Sequence, residues 1–294
     1  MSELVFLENN FLRVGIHPRG AELQLLESKK TGKSYLWKGD AAWWGKFSPV
    51  LFPIVGSLKN NTYYYNGQAY TLPRHGFARD RFFVADRTSA ATANFNLRDN
   101  ADTRKVYPFS FSLDLYYQLI GDRLRLRYTV QNTGNDRSWF SIGAHPAFAI
   151  PPGGVEAPQA FSDHYLEFNV SNHLQRYKLQ EGLVSSQTEE ITLRNHRLYI
   201  KPTLFAEDAL VLKNIPDTRI TLRADLHPYG IEFDWKDFPF FGIWQPAGAP
   251  FICLEPWCGV ADKVQHNQDI TQKEGIQSLA AGESFIREWS VRCF

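Results

Sequence analysis

The chain has 294 residues, of which 44% are hydrophobic and 15% aromatic, enough to form a large packed core. Its 32 basic and 31 acidic side chains give a formal net charge of +1, which provides no field to attract nucleic acid or anionic lipid. We therefore expect neither a nucleic-acid partner nor a membrane partner.

The N-terminus lacks a basic segment followed by an apolar stretch, and the three cysteines, Cys253, Cys258 and Cys293, are too few for a disulfide framework. These features predict a cytoplasmic protein with free thiols and no bound metal.

Two β-hairpins are indicated in the first half of the chain. Asn66-Gly67 separates two tyrosine-containing runs, 63–65 and 69–72, and suits the left-handed dihedral angles of a tight turn. In 109–119 every second residue is apolar, and the same period of two recurs in 123–130 after a Gly-Asp turn. Each of these runs is therefore predicted to be a strand with one buried face.

Later segments continue this pattern. Apolar residues alternate at Ile220, Leu222, Ala224 and Leu226, and again at 285–292. No amphipathic helix of convincing length and no glycine-rich phosphate loop is present, and Pro151–Gly154 is interpreted as a loop. The prediction is one all-β domain over residues 1–294, folded as a large multi-stranded antiparallel β-sandwich.

Two histidines lie in apolar, loop-like contexts after strand-like runs. They are His75, in Pro73–Arg79, and His145, in Gly143–Phe148. A nearby glycine in each segment permits close approach of a ligand, and a nearby phenylalanine can line a pocket. Each histidine alone is more simply explained as a hydrogen-bonded loop residue, but two such segments favour a shared site. His173 and His196 are predicted to lie at the surface.

Two acidic residues are candidates for the same site. Glu255 ends the apolar run 251–254, and a buried carboxylate there needs a partner or a catalytic role. The alternatives are a catalytic base and a buried ion pair with arginine. Asp208 precedes an apolar strand, where it either binds a ligand hydroxyl or caps a turn.

Aromatic side chains complete the candidate pocket. Sugar rings pack their C–H faces on aromatic planes, whereas their hydroxyls need donors and acceptors. Most of the eight tryptophans are expected in the core, Trp43-Trp44 included. Trp244 and Trp257 are the two pocket candidates.

Short motifs distributed over nearly the whole chain give it a resemblance to the aldose 1-epimerases, the galactose mutarotase-like proteins, and within them to the LacX-like branch. The motifs are Arg-Gly-Ala-Glu-Leu at 19–23, Phe-Pro-Ile-Val-Gly at 52–56, the His75 and His145 segments, Asp208, and Leu-Glu-Pro-Trp at 254–257. The resemblance implies a β-sandwich whose concave face holds a monosaccharide, as a monomer or homodimer, without metal or organic cofactor.

The resemblance also implies roles for four residues. Glu255 would be the base that acts on the anomeric hydroxyl, and His145 the acid that protonates the ring oxygen. His75 and Asp208 would hold sugar hydroxyls. An ionised Glu255 beside a protonated His145 would give a bell-shaped pH profile for this isomerase.

One position departs from the family pattern. Galactose mutarotases carry a sugar-contacting arginine after the first conserved loop, and the matching residue here is Ser57. Arg74 or Arg79 would supply a replacement cation. The string His75–Arg79 also resembles the hexose-6-phosphate 1-epimerases, whose arginines bind phosphate.

Three functions follow from these observations. The leading expectation is a mutarotase acting on a hexose such as galactose or glucose, with a hexose 6-phosphate as the nearest variant. A non-catalytic sugar-binding or sensing protein is the second. The third is a lyase or glycoside hydrolase that uses Asp208 and Glu255, which the absence of a further catalytic domain disfavours.

Overall fold

The computed structural model describes residues 3–154 and 163–294. Within these ranges the chain is folded mainly into β-strands, with one short α-helix, α1 (Ala101–Val106). The Asn100 side chain caps α1 by accepting hydrogen bonds from the amides of Asp102 and Thr103. Short 3₁₀ turns occupy Lys59–Asn61, Ala78–Asp80, Pro202–Phe205 and Ile270–Gln272. No helix in the described ranges is long and apolar enough to cross a membrane.

The strands of the described residues follow one another along the whole chain. In order they are β1 (Val5–Glu8), β2 (Leu12–His17), β3 (Glu22–Ser28), β4 (Lys33–Ser34), β5 (Val50–Leu51), β6 (Thr62–Tyr65), β7 (Gln68–Thr71), β8 (Val84–Asp86), β9 (Thr92–Arg98), β10 (Phe111–Ile120), β11 (Arg123–Asn132), β12 (Ser138–Phe140), β13 (Ile142–Ala144), β14 (Ala147–Ala149), β15 (His164–Phe168), β16 (His173–Gln180), β17 (Leu183–Thr192), β18 (Arg197–Tyr199), β19 (Leu210–Lys213), β20 (Arg219–Ala224), β21 (Ile231–Lys236), β22 (Phe240–Trp244), β23 (Phe251–Cys258), β24 (Gln277–Leu279) and β25 (Ser284–Cys293).

Two large antiparallel sheets organise these strands. The first has the order β18-β15-β20-β21-β25-β11-β10-β9-β8. The second has the order β17-β16-β19-β22-β23-β13-β5, and β14 pairs with β23 beside β13. A four-stranded sheet, β1-β2-β3-β4, and the small pairs β12-β24 and β6-β7 complete the described fold. The predicted all-β antiparallel architecture is confirmed.

Aromatic side chains from the two large sheets meet to form the core. Phe241 of β22 packs 4.2 Å from Trp235 and 6.3 Å from Phe233 of β21, measured between ring centroids. Phe148 of β14 approaches Phe233 at 5.7 Å. Truncating such a buried ring to alanine typically costs about 3–5 kcal/mol, so these contacts fix the two sheets face to face.

Both predicted hairpins are present. β10 pairs with β11 over their full lengths, and β6 pairs with β7 through a turn in which Asn66 and Gly67 both have positive φ. The prediction for Leu226 was wrong: β20 ends at Ala224, and Leu226 is 84% exposed. His173 is exposed as predicted, whereas His196 is half-buried and its Nδ1 lies 2.8 Å from the carbonyl oxygen of Ser171.

Every residue of β23 is buried, and its two faces serve different purposes. Ile252, Leu254 and Cys258 join the main core between the sheets. Phe251 and Cys253, on the opposite face, pack with Trp37, Ala147 and Ala249. Because side chains alternate along a strand, this second face also carries Glu255.

Candidate active site

The pairing of β23 with its neighbours places His145 beside Glu255. β13 and β14 both pair antiparallel with β23, through Gly143 opposite Trp257 and Ala147 opposite Cys253. The same register puts residue 145, in the break between the two short strands, opposite residue 255. The two residues predicted as an acid–base pair are therefore brought together from distant parts of the sequence.

His145 and Glu255 form a buried, closely coupled pair. Nε2 of His145 lies 3.2 Å from Oε2 of Glu255, and their side chains are 10% and 2% exposed. Burial lowers the pKa of His145 to about 3 and raises the pKa of Glu255 well above its usual range, since both charged forms are poorly solvated there. Burial thus favours a protonated carboxyl beside a neutral imidazole.

The neutral pair contains the same single proton as the ion pair of carboxylate and imidazolium. Transfer of that proton over the short gap interconverts the two arrangements. The charge of Arg74 acts in the opposite direction to burial on Glu255, because it lowers the pKa of the carboxyl. A site with one mobile proton between two groups can take a proton from one atom of a substrate and give a proton to a neighbouring atom.

Aromatic rings surround the imidazole of His145. Trp44 stacks on it at 4.8 Å with an interplanar angle of 26°, and Trp244 approaches it edge-on at 5.7 Å. Trp244 was one of the two pocket candidates selected from the sequence, whereas Trp44 was not selected because most tryptophans were expected in the core. Trp44 lies on the loop between β4 and β5, where its carbonyl oxygen accepts a hydrogen bond from Trp37 Nε1 at 2.9 Å.

His75 reaches the site from a strained loop. Its φ is 69°, in the left-handed region, and its backbone amide donates to the carbonyl oxygen of Gly56 at 2.9 Å. The Gly56 amide in turn donates to His75 Nδ1 at 3.1 Å. The His75 ring lies 5.8 Å from the His145 ring at 86°.

Two hydrogen-bond donors face the His75 ring, one at each nitrogen. Burial, together with nearby His145 and Arg74, lowers its pKa well below the usual range, so the ring is neutral and has one acceptor nitrogen. With Nδ1 accepting from Gly56, Nε2 carries the hydrogen and serves as a donor. Arg74 Nε lies 3.3 Å from this Nε2 and can donate to it only in the other tautomer, which would leave the Gly56 amide without that acceptor.

The two candidate arginines occupy different environments. Arg74 is exposed, yet its charge reaches the buried pair and lowers the pKa of both His145 and Glu255. Arg79 is partly buried, and its Nη2 donates to the carbonyl oxygen of Arg74 at 2.8 Å. Arg79 therefore supports the backbone of the loop that carries Arg74 and His75.

Asp208 approaches the site from the start of β19. Its charge raises the pKa of Glu255, which indicates electrostatic proximity between the two carboxyl groups. Its φ is 71°, and its Oδ1 accepts a hydrogen bond from the Ala209 amide at 2.7 Å. The turn-capping role considered from the sequence is therefore present, and the other carboxylate oxygen is available for a ligand.

Trp257 and Ser57 differ from the remaining candidates. Trp257 is buried in a small apolar cluster with Leu51 and Val55, and the backbones of Gly143 and Gly242 run against its ring. Its ring thus packs against the protein interior, while hydrogen bonding from its side chain lowers the pKa of the Glu255 carboxyl. Ser57 packs near Gly182 at the β16–β17 turn, and its carbonyl oxygen accepts a hydrogen bond from the Asp262 amide at 2.9 Å.

One set of described side chains has the composition of a metal site. Ligand atoms of His145, Cys253 and Glu255 all lie within 4.8 Å of one another. Cys253 and Glu255 share a face of β23 because they are two residues apart. The sequence interpretation treated Cys253 as apolar filler, although the strand period was sufficient to place its thiol beside the carboxyl group.

Comparisons with known proteins identify the family of this chain. The family model for aldose 1-epimerase matches residues 3–288. The chromosomal protein LacX of Lactococcus lactis is 30% identical over 295 residues, which cover 97% of each chain. A galactose mutarotase related enzyme from Lactobacillus acidophilus has a solved structure that is 32% identical, with a TM-score of 0.93 and coverage of 99% of this chain and 97% of the other.

A second solved structure gives the same result. A galactose mutarotase-like protein from Lactobacillus casei is 32% identical to this chain, with a TM-score of 0.93 over 99% of this chain and all of the other. The chain is thus a member of the aldose 1-epimerase family.

Proposed function

We propose that this protein is a mutarotase that interconverts the α and β anomers of a hexose. The observation that carries the proposal is the 3.2 Å approach of His145 Nε2 to Glu255 Oε2 in a buried site bordered by tryptophan rings. The anomeric hydroxyl and the ring oxygen of a sugar are bonded to the same carbon, C1. An acid and a base that act on these two oxygens must therefore be close neighbours.

Ring opening uses the single proton of the pair. In the ion-pair arrangement, the Glu255 carboxylate takes the proton of the C1 hydroxyl while the bond between C1 and the ring oxygen breaks. His145 gives its proton to the departing ring oxygen, which leaves an aldehyde, a protonated Glu255 and a neutral imidazole. Rotation about the bond between C1 and C2, followed by the reverse transfers, closes the other anomer and restores the pair.

Neighbouring residues hold the sugar during these steps. His75 presents its Nε2–H as a donor to a hydroxyl, and the Asp208 carboxylate accepts from another. Trp44 and Trp244 offer apolar surface for the C–H face of the ring. The charge of Arg74 favours the carboxylate form of Glu255, which is the form that takes the first proton.

A hexose 6-phosphate is the second candidate substrate, and the charge distribution near the His75 loop favours it. Arg19, Lys46 and Arg79 all contact the single carboxylate of Asp80, at 3.4, 3.0 and 3.8 Å. Arg74 adds a further exposed cation to this side of the site. The local excess of positive charge suits a phosphate group, which arginine binds in a bidentate manner.

Polarimetry of freshly dissolved α-D-glucose and α-D-galactose tests the proposal. The wild-type protein should accelerate decay to the same final rotation, and Glu255→Gln should reduce kcat by a factor of about 10²–10⁴ because it removes the base. Glu190→Gln changes an exposed carboxylate and serves as the matched control.

The substrate class is then decided by comparison and competition. If hexose 6-phosphates are turned over faster and inorganic phosphate competes, the phosphorylated substrate is preferred. If neither class is accelerated while calorimetry detects sugar binding, the mutarotase proposal is wrong and the protein is a sugar-binding member of its family.

A further inference from the structure

Three side chains at the proposed catalytic pair supply the sulfur, nitrogen and oxygen ligands that zinc prefers. Cys253 is fully buried, and its ligand atom lies within 4.8 Å of those of His145 and Glu255. Zn²⁺ binds cysteine sulfur at about 2.3 Å and histidine nitrogen or carboxylate oxygen at about 2.0–2.2 Å. Tetrahedral ligand atoms at these bond lengths are about 3.2–3.7 Å apart.

The geometry is already close to this requirement. The approach of His145 Nε2 to Glu255 Oε2, 3.2 Å, falls within the tetrahedral range. The cysteine sulfur needs to move inward by about 1 Å at most to join them.

A second observation concerns an unsatisfied atom at the same place. Glu255 Oε2 is buried and, although His145 Nε2 lies 3.2 Å away, it makes no hydrogen bond of good geometry with a described residue. A buried carboxylate oxygen without a hydrogen bond is costly, and a cation would relieve that cost. His145 is the most exposed of the three side chains, so it marks the side from which an ion would enter.

We infer that His145, Cys253 and Glu255 form a binding site for Zn²⁺ or a similar thiophilic divalent cation, and that occupation of this site inhibits the enzyme. Binding displaces the protons of the Cys253 thiol and the Glu255 carboxyl into solvent, and the metal takes the lone pairs with which the acid–base pair acts. Three protein ligands leave a fourth position for water. The inhibition, but not the binding, rests on the proposed mutarotase function.

Calorimetric titration with Zn²⁺ tests the binding directly. The wild-type protein should bind one equivalent, and both Cys253→Ser and Cys253→Ala should weaken binding about tenfold or more by removing the sulfur ligand. Cys258→Ser, which changes another buried thiol on the opposite face of β23, is the control and should bind Zn²⁺ as the wild type does. Circular dichroism of each variant establishes that it is folded before titration.

Co²⁺ supplies a spectroscopic readout. The wild-type protein and Cys258→Ser should show a sulfur-to-cobalt charge-transfer band that is missing from both Cys253 variants. In the anomerisation assay, Zn²⁺ should inhibit the wild type at the concentrations at which it binds. The Cys253→Ser variant should be active and resistant to inhibition by Zn²⁺.

Absence of Zn²⁺ binding by the wild type, or equal binding by folded Cys253 variants, would overturn the inference. If the wild type has no anomerase activity, the proposed function fails while calorimetry and the cobalt spectrum still decide the metal site.

Discussion

Arg176 of β16 donates a hydrogen bond through Nη2 to the carbonyl oxygen of Asp208 at 3.2 Å. The same nitrogen donates to the carbonyl oxygen of Glu207 at 2.7 Å, and the Arg176 side chain is 6% exposed. This guanidinium therefore fixes the backbone at the position where Asp208 adopts a positive φ. Arg176 is a positioning residue for Asp208 and, through it, for a sugar hydroxyl.

Replacing Arg176 with methionine should raise KM more than it lowers kcat. Loss of one ordinary hydrogen bond to the sugar corresponds to an increase in KM of about three- to tenfold. The loss of a charged hydrogen bond should also lower the free energy of unfolding by about 1.5–3 kcal/mol, measured by urea denaturation. Arg98→Met, at an exposed position of β9, is the control. A fall in kcat with unchanged KM would contradict the positioning role.

The pH dependence of kcat should show a broad plateau. Since burial lowers the pKa of His145 and raises that of Glu255, the pair keeps its single proton from acidic to alkaline pH. It gains a second proton only at low pH and loses its proton only at high pH. We thus expect kcat to have a plateau around neutral pH and to fall at low and at high pH, which is a broad form of the bell-shaped profile predicted from the sequence. Measurements with a chelator present would keep adventitious Zn²⁺ from the site, and a sharp optimum near neutrality would contradict this account.

Glu255→Gln should stabilise the fold as the pH rises. Above the ordinary pKa of a glutamate, about 4.3, the unfolded chain releases a proton that the folded protein retains at Glu255, so the wild type loses stability with increasing pH. Glutamine has no such proton to release. The stability gain of the variant, from urea denaturation at several pH values, should be absent in acid and grow towards alkaline pH. A constant difference would show that titration of Glu255 is not its cause.

Gly242→Ala should disturb the site through contacts on one face of β22. A Cβ at this position would lie 2.4 Å from Trp257 Cζ2 and 3.2 Å from Glu255 Cβ. Overpacking of this kind typically costs about 1–3 kcal/mol, and here the displaced side chains include the proposed base. Both the melting temperature and kcat should therefore fall. Gly134→Ala places its Cβ no closer than 3.4 Å to an atom outside its two chain neighbours and should leave both unchanged.

Local patterns were sufficient to predict the hairpins but not where each strand ends. The period of two identified β10 and β11 because each buries one face against a core. At Leu226 the same alternation continued past the end of β20, where the chain turns away and leaves the residue in solvent. Alternation of apolar and polar residues does not show where the neighbouring strand ends, and the end of the neighbouring strand determines where backbone pairing stops.

The site residues were selected from the sequence mainly because the resemblance to the aldose 1-epimerases linked segments that are far apart in the chain. His145 and Glu255 were selected on motif and context, and their contact depends on the registers of β13 and β14 with β23. Trp44 was missed because it lies on a loop without periodicity, held by contacts that no local pattern encodes. Trp257 follows Glu255 by two residues on the same face of β23, and its ring packs in the small apolar cluster against Gly242.

The two-faced burial of β23 limits how substrate preference can diverge in this fold. A substitution on the core face of the strand shifts the carboxyl group on the other, so the proton-transfer groups and the packing of the sandwich must change together or not at all. The loops that carry Trp44, Arg74 and Asp208 have no such constraint, because each reaches the site from outside the strand. Substitutions in these loops are consequently the simplest way to change which sugar is bound, because they leave the residues of ring opening in place.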